Sequence, residues 1–283
     1  MGSISRSWDL LGQSFAVLKS DKELMWLPIL SAIFCLTATV IILGIGLIWV
    51  LPPGVPIPRD PVAQKELSKQ MAPFFFLFYI ATYSVSSYFN VALVSIASNR
   101  LDGGNATLND GLQVAWMRKW SIFQWALFAA TIGMLIQMFD RRAGVLGRMF
   151  TRLAGAAWSI ASFFVIPLLA AENISPVDAL LKSGQIVRKR WGEQIAGGLS
   201  FGIIFVLLAL PAIALPIMGA RLGQREMIAG LAAMVVYWVL LGIINSAAQG
   251  IFVAALYRYA TDQKVTGVYH LDDLSAAWQP KEQ

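Results

Sequence analysis

Few side chains in this sequence could carry catalytic or metal chemistry. Cys35 is the one cysteine, so no intramolecular disulfide can form, and the one histidine, His270, lies beside Asp272 and Asp273. A structural zinc site uses about four Cys or His ligands, which this chain cannot supply. The phosphate-binding loop, the H-E-x-x-H helix and the G-x-S-x-G elbow are missing from the sequence. We therefore expect no metal, no cofactor and no enzymatic activity.

The remaining chemical candidates are uncharged polar residues inside apolar stretches of chain, namely Asn90, Gln124, Asn245 and Gln249. Asn245 and Gln249 are four residues apart and would share one face of a helix. Polar side chains within a membrane are common markers of a pathway or a site. They also form hydrogen bonds between helices, worth roughly 0.6–2 kcal/mol each. Three interpretations stay open: interhelical bonding, a hydrophilic substrate path, and metal or catalytic work.

The composition predicts a membrane protein, whose helices would hold these polar residues. Of 283 residues, 57% are hydrophobic and 13% are charged, about half the charged fraction of a soluble domain; the mean hydropathy is +0.64. Six uncharged runs are each long enough for one crossing as helix, and their continuous apolarity disfavours a β-barrel. We predict an all-α, polytopic protein with transmembrane helices near residues 25–50, 72–98, 120–139, 153–171, 195–219 and 228–256.

The distribution of lysine and arginine predicts the orientation. The side that holds both termini carries 13 of these residues and the opposite side carries 9. Cytoplasmic loops are enriched in positive charge, so we expect both termini in the cytoplasm. A cluster of four arginines between residues 141 and 152 opposes this bias.

Two stretches of sequence correspond at an offset of 68 residues, 105–112 and 173–180. In these stretches Thr107 and Ser175 are predicted helix N-caps, each followed three residues later by an aspartate, Asp110 or Asp178. This spacing is an acidic version of the capping box. Pro176 would occupy the first helical position, where its missing N–H costs nothing.

A third, weaker copy lies at the N-terminus, around Asp9, Leu11 and Ser14. The fold prediction is accordingly three repeats of an amphipathic helix and a transmembrane hairpin. The repeats would cover residues 1–98, 99–171 and 172–260, with a cytoplasmic tail at 261–283. The alternative is that the amphipathic helices are ordered connectors and the correspondence is chance.

Basic residues and tryptophans recur where spans 1, 3 and 5 begin. Trp26, Trp120 and Trp191 mark these entries, and tryptophan favours the headgroup level of a bilayer. Each basic residue near an anionic leaflet contributes about 1 kcal/mol. Either these residues bind anionic phospholipid specifically or they act as ordinary anchors. The candidate headgroup contacts are Lys19, Lys22, Arg118, Lys119, Arg188, Lys189 and Arg190.

Prolines and glycines predict local departures from regular helix. The proline-rich loop 52–70 should be extended on the outer face, and segment 140–152 could form a short surface helix. Pro211 and Pro216 should kink or break span 5, with Pro28 and Pro167 acting near the ends of spans 1 and 4. Gly198 and Gly202 form a G-x-x-x-G pair, typical of close helix packing.

Several motifs together resemble a bacterial six-helix inner-membrane family of unknown function. They are Asp9 with Lys19–Glu23, Trp158 through Glu172, Ser175–Leu180, Arg190–Glu193 and Ala255–Ala260. That family is similar to the membrane domain that precedes some glycerophosphodiester phosphodiesterases. The resemblance implies a multi-pass protein of the bacterial cytoplasmic membrane and no particular reaction.

The function expected from the sequence is a non-enzymatic membrane scaffold or accessory protein. Its surface helices would contact anionic phospholipid or another membrane protein, and no nucleic-acid recognition module is present. The alternative is a small-solute or lipid transporter or channel with a polar path near spans 2 and 6. An intramembrane lipid enzyme is disfavoured, because no Asp, Glu, Lys, Arg or His lies in the middle of a span.

Overall fold

The computed structural model describes residues 22–52, 54, 58, 60–142, 144–191 and 200–262. Within these ranges the chain forms helices and no strands. The helices are α1 (Trp26–Val50), α2 (Pro61–Leu101), α3 (Leu108–Met117), α4 (Lys119–Arg142), α5 (Val145–Ala161), α6 (Val165–Ala171), α7 (Pro176–Trp191), α8 (Ser200–Ala209), α9 (Ala214–Leu222) and α10 (Gln224–Asp262). Single 3₁₀ turns cover Lys22–Met25 and Leu210–Ile213.

Six helical segments are long and apolar enough to cross a membrane, which confirms the all-α, multi-pass fold class. They are Lys22–Val50, Pro61–Leu101, Lys119–Asp140, Gly147–Ala171, Phe205–Leu222 and Gln224–Thr261. Each overlaps one of the six predicted spans. The threefold repeat and its boundaries stay a prediction.

The second span is longer than predicted, because α2 begins at Pro61 within the predicted loop 52–70. Asp60 caps this helix: its carboxylate accepts the N–H of Ala63 at 3.1 Å, and its carbonyl accepts the N–H of Gln64 at 3.0 Å. Proline fits the first helical position. The charged residues of this segment also suit a helix, since Glu66 and Lys69 form an i, i+3 ion pair of 2.9 Å.

Segment 140–152 is not a separate surface helix. Its residues belong to the end of α4 and the beginning of α5, which follow each other across residues 143–144. Thr151 donates its hydroxyl to the Asp140 carboxylate at 2.5 Å and so joins the two helix ends. Both spans therefore extend into the segment that the sequence suggested as a connection.

The predicted proline breaks are present in spans 4 and 5. Span 4 is interrupted between α5 and α6, before Pro167, and span 5 tightens to a 3₁₀ turn that contains Pro211. Pro28, Pro167 and Pro216 are each the third residue of a helix. A proline in the first turn removes no intrahelical bond, so Pro216 does not break α9.

The chain forms two compact units. The first comprises residues 1–28, 93–111 and 184–283, and the second comprises 29–92 and 112–183. In the first unit, α9 and α10 approach closely through glycines. A Cβ added to Gly219 would lie 2.3 Å from the Glu226 carbonyl oxygen, and one added to Gly230 would lie 2.6 Å from that of Leu215. Glycine is thus required where these two backbones meet.

The second unit packs around an aromatic cluster between α4 and α5. The rings of Trp125 and Trp158 stack at 5.7 Å between centroids, and Phe128 lies 5.9 Å from Trp158. Trp125 is fully buried, as are Phe164, Leu168 and Leu169. These large side chains fix the positions of α4 and of the broken span formed by α5 and α6.

Candidate functional site: the capped helices and their basic ends

Helix α3 begins at a reciprocal cap formed by Thr107 and Asp110. The Asp110 carboxylate accepts the backbone N–H and the hydroxyl of Thr107, each at 2.8 Å. In return the Thr107 hydroxyl oxygen accepts the N–H of Asp110 at 3.4 Å. These bonds, from the backbone N–H first and the hydroxyl second, hold the pKa of Asp110 below its usual value.

Helix α7 begins in the same way, with Pro176 as its first residue. The Ser175 hydroxyl donates to the Asp178 carboxylate at 2.7 Å and accepts the Asp178 N–H at 3.2 Å. Both predicted N-caps are therefore confirmed, and in α3 the carboxylate also accepts the N-cap backbone N–H, which completes the capping box. Burial also corresponds at the offset of 68 residues: Gly111 and Ala115 are buried in α3, as Ala179 and Ser183 are in α7.

Each capped helix is bonded to the span that precedes it. In the second unit the Tyr88 hydroxyl of α2 donates to the Leu112 carbonyl of α3 at 3.1 Å. The hydroxyl of Ser183 in α7 accepts the backbone N–H of Phe164 at 3.0 Å, at the break between α5 and α6. Each of the two helices is thus docked against a neighbouring helix through the face that holds its buried residues.

Lys182 fixes α7 to the end of the preceding span by charge. Its Nζ lies 2.5 and 2.7 Å from the two carboxylate oxygens of Glu172, the residue that follows α6. Both side chains are partly exposed, so the stability from this pair is modest. The pair nevertheless bridges residues 172–175, which connect α6 to α7.

The outer faces of the capped helices carry large apolar side chains. Trp116 is 61% exposed and Met117 64% in α3, and in α7 Val177 is 51% and Leu181 60% exposed. Exposed apolar groups of this size on a docked amphipathic helix are typical of a surface that meets lipid or another protein.

Basic residues stand at the C-terminal ends of both helices. Lys119, Arg188 and Lys189 are exposed, Arg118 is half-buried, and Lys22 is exposed at the start of the first span. The Lys119 Nζ lies 3.8 Å from the ring centroid of Trp116, and Trp120 and Trp26 are exposed. Lys19 and the side chains of Arg190 and Trp191 lie outside the described residues.

The candidate intramembrane polar residues lie in different surroundings. Asn90 is half-buried and donates to the Ser86 hydroxyl oxygen at 3.5 Å, within its own helix. Asn245 is half-buried, whereas Gln124 and Gln249 are exposed. Asn245 and Gln249 therefore do not share a buried face. The Gly198–Gly202 pair falls outside the part of the chain whose side chains are described.

An ionic cluster in the first unit was not anticipated from the sequence. Arg258 of α10 forms a bidentate pair with Asp102, 156 residues earlier, and Arg100 lies 3.8 Å from Glu23. Arg100 also donates Nε to the Ala106 carbonyl at 3.0 Å. The side chains of Arg100 and Arg258 are only 12% and 15% exposed. The one sequence signal was opposite charge at the ends of spans 2 and 6.

Two backbone carbonyls beside the break in span 5 accept hydrogen bonds from side chains of α10. In the first unit the Tyr237 hydroxyl donates to the Leu208 carbonyl at 2.8 Å, and Trp238 Nε1 donates to that of Ala209 at 3.0 Å. Both carbonyls precede the 3₁₀ turn that contains Pro211. A backbone group freed inside a membrane must find such a partner.

Within the described ranges no three of the His, Cys, Asp and Glu side chains are grouped as a metal site would require. His270, Asp272 and Asp273 lie outside these ranges.

Comparison with known proteins identifies one family. The model of a family of unknown function, DUF6159, matches residues 70–267, which include all of the capped helices and four of the six spans. No curated protein matches the chain. No solved structure matches it either.

Proposed function

We propose that this protein, which belongs to the family of unknown function DUF6159, is a non-enzymatic membrane scaffold or accessory protein. Its helices α3 and α7 would contact lipid or a partner protein. The observation that carries this proposal is their common arrangement. Each is capped and docked through a narrow buried face, and each turns large apolar side chains outward.

Photo-crosslinking in native membranes tests this proposal. Benzoylphenylalanine at Met117 and Leu181 should form adducts with phospholipid or with one reproducible protein partner. The matched control positions are Asn109 and Gln185, which are exposed polar residues of the same two helices. Equal adduct yields at all four positions, or none at Met117 and Leu181, would contradict the proposal.

We further propose that the protein lies in a bacterial inner membrane with both termini in the cytoplasm. The bias of 13 to 9 basic residues supports this orientation. Reporter fusions after residues 22, 60, 105, 146, 182 and 283 test it. An exported reporter at residue 283 would refute the orientation, and signals from the same side at residues 105 and 146 would refute the third span.

The absence of enzymatic activity and the relation to phosphodiesterase-linked membrane domains are also proposals. The first rests on the lack of charged acid–base pairs in the middle of the spans. The second rests on the motifs quoted above, such as Ser175–Leu180. Both concern the whole chain, including the segments outside the described residues.

The second candidate function is transport, which the polar middle of α2 favours. Thr82, Ser86 and Asn90 are half-buried and spaced four residues apart, so they line one face. In a Cys35→Ser background, cysteines at positions 86 and 90 would react with a water-soluble thiol reagent if a hydrated path exists. Protection equal to that of a cysteine at the buried Ile80 would exclude such a path.

A further inference from the structure

We propose that the junction of α3 and α4 binds the phosphate of an anionic phospholipid through Arg118 and Lys119, with Trp116 and Trp120 against the lipid. This inference rests on the proposed function, because it requires α3 to lie against lipid. The inference goes beyond the proposed function because it assigns one binding site for one anionic phospholipid to Arg118 and Lys119.

The junction brings the two cations to one point. Arg118 is the single residue between α3 and α4. Its N–H donates to the Val114 carbonyl at 3.1 Å, and its carbonyl accepts the Ile122 N–H at 2.9 Å. These two hydrogen bonds hold the backbone at the junction. They therefore fix the positions from which the Arg118 and Lys119 side chains extend.

The Arg118 guanidinium lacks a counter-ion among the described residues. Its Nε is shielded from solvent and has no hydrogen-bond partner there. The Nε of Arg258 is shielded in the same way, but the Arg258 guanidinium has a counter-ion in Asp102, as Lys182 has in Glu172 and Lys69 in Glu66. A partly desolvated cation costs free energy unless an anion compensates it. A phosphate group held by a planar guanidinium would supply that compensation.

The neighbouring aromatic side chains distinguish a lipid from other anions. Trp116 and Trp120 are 61% and 69% exposed, and Phe123 lies with its ring edge-on to Trp120 at 6.5 Å. The cation–π contact of 3.8 Å places the Lys119 charge directly over Trp116. Cations beside exposed tryptophan match a headgroup phosphate together with the acyl boundary below it.

Native mass spectrometry of the full chain in detergent tests this site. Phosphatidylglycerol and, separately, phosphatidylcholine are added to delipidated wild type and to the Arg118→Gln/Lys119→Gln variant. The control is Arg221→Gln/Arg225→Gln, which removes two exposed positive charges at the α9–α10 turn. A charge-preserving variant, Arg118→Lys/Lys119→Arg, reports whether the junction tolerates substitution.

The first phosphatidylglycerol should bind about thirtyfold more weakly to the Arg118/Lys119 variant, given the contribution of each basic residue. Phosphatidylcholine binding should be unchanged, and the control and the charge-preserving variant should stay within about twofold of wild type. Equal weakening in the control, or no weakening in the test variant, would overturn the site. Continued adducts from Met117 and Leu181, with lipid or with one protein partner, would then leave the proposed function standing, whereas the absence of any adduct from both positions would refute the proposed function itself.

Discussion

The buried hydroxyl of Ser183 accepts the backbone N–H of Phe164 at 3.0 Å. This bond joins α7 to the break in span 4, between α5 and α6. The neighbouring amides are bonded in tighter turns, with the Val165 N–H to the Ser162 carbonyl at 3.1 Å. A side chain of the capped helix therefore accepts a backbone N–H at the break.

Ser183→Ala should lower the stability of the folded protein by about 1–2 kcal/mol, because the buried hydrogen bond from the Phe164 N–H to the Ser183 hydroxyl would be lost. Thermal unfolding in detergent measures the effect. The matched control is Ser159→Ala, since the Ser159 hydroxyl is exposed and bonds only within its own helix, to Gly155 at 3.0 Å. If both variants melt at the same temperature, Ser183 does not hold the break.

The cap of α3 should depend on pH through Asp110. Because the folded-state pKa of this carboxyl is lowered, its contribution is complete above its unfolded value, about 3.9. The contribution is lost as the pH falls through the folded pKa. At pH 7 the melting temperature of wild type should therefore be higher than that of Asp110→Ala. The two melting temperatures should converge in strong acid. A difference that is the same at pH 7 and at pH 3 or below would show that the carboxylate charge is not involved.

Gly230→Ala should destabilise the α9–α10 hairpin, because the added Cβ would lie 2.6 Å from the backbone oxygen of Leu215. We expect a loss of about 1–3 kcal/mol. Gly242→Ala, in the same helix, meets nothing within 4 Å and should be neutral or slightly stabilising. Equal melting temperatures for the two variants would contradict the close approach.

Arg258 and Asp102 should be energetically coupled. Since Arg258 is mostly buried and Asp102 is half exposed, Asp102→Asn or Arg258→Gln should cost about 1–3 kcal/mol. The double variant should cost less than the sum of the two single variants. A double-mutant cycle on thermal stability measures this coupling. Strict additivity would mean that the pair contributes nothing.

Much of this fold follows from signals that are local in the sequence. Each span is one continuous apolar run, and each cap is set by two residues three apart, such as Ser175 and Asp178. The beginning of α2 at Pro61 does not follow from the apolar runs, because the charges at Lys65, Glu66 and Lys69 interrupt them. Glu66 and Lys69 instead pair along an exposed helical turn.

Contacts between distant residues were not predictable from the sequence. The Arg258–Asp102 pair joins residues 156 positions apart. Gly219 lies against Glu226, and Gly230 lies against Leu215, where α9 and α10 pack together. Similarly, the half-buried state of Arg118, and its lack of a counter-ion among the residues that the structure describes, depend on the surrounding packing, although the sequence predicts Arg118 and Lys119 as headgroup contacts.

Helices α7 and α3 are docked on one face, and we propose that each meets lipid on the opposite face. Spin labels placed singly from residue 177 to residue 189, in a Cys35→Ser background in vesicles, measure this most directly. Labels at Val177 and Leu181 should collide more with oxygen than with a water-soluble nickel complex, and labels at Ala179, Ser183 and Val187 should be protected from both. Greater accessibility to nickel than to oxygen at Val177 and Leu181 would place that face in water and contradict the account.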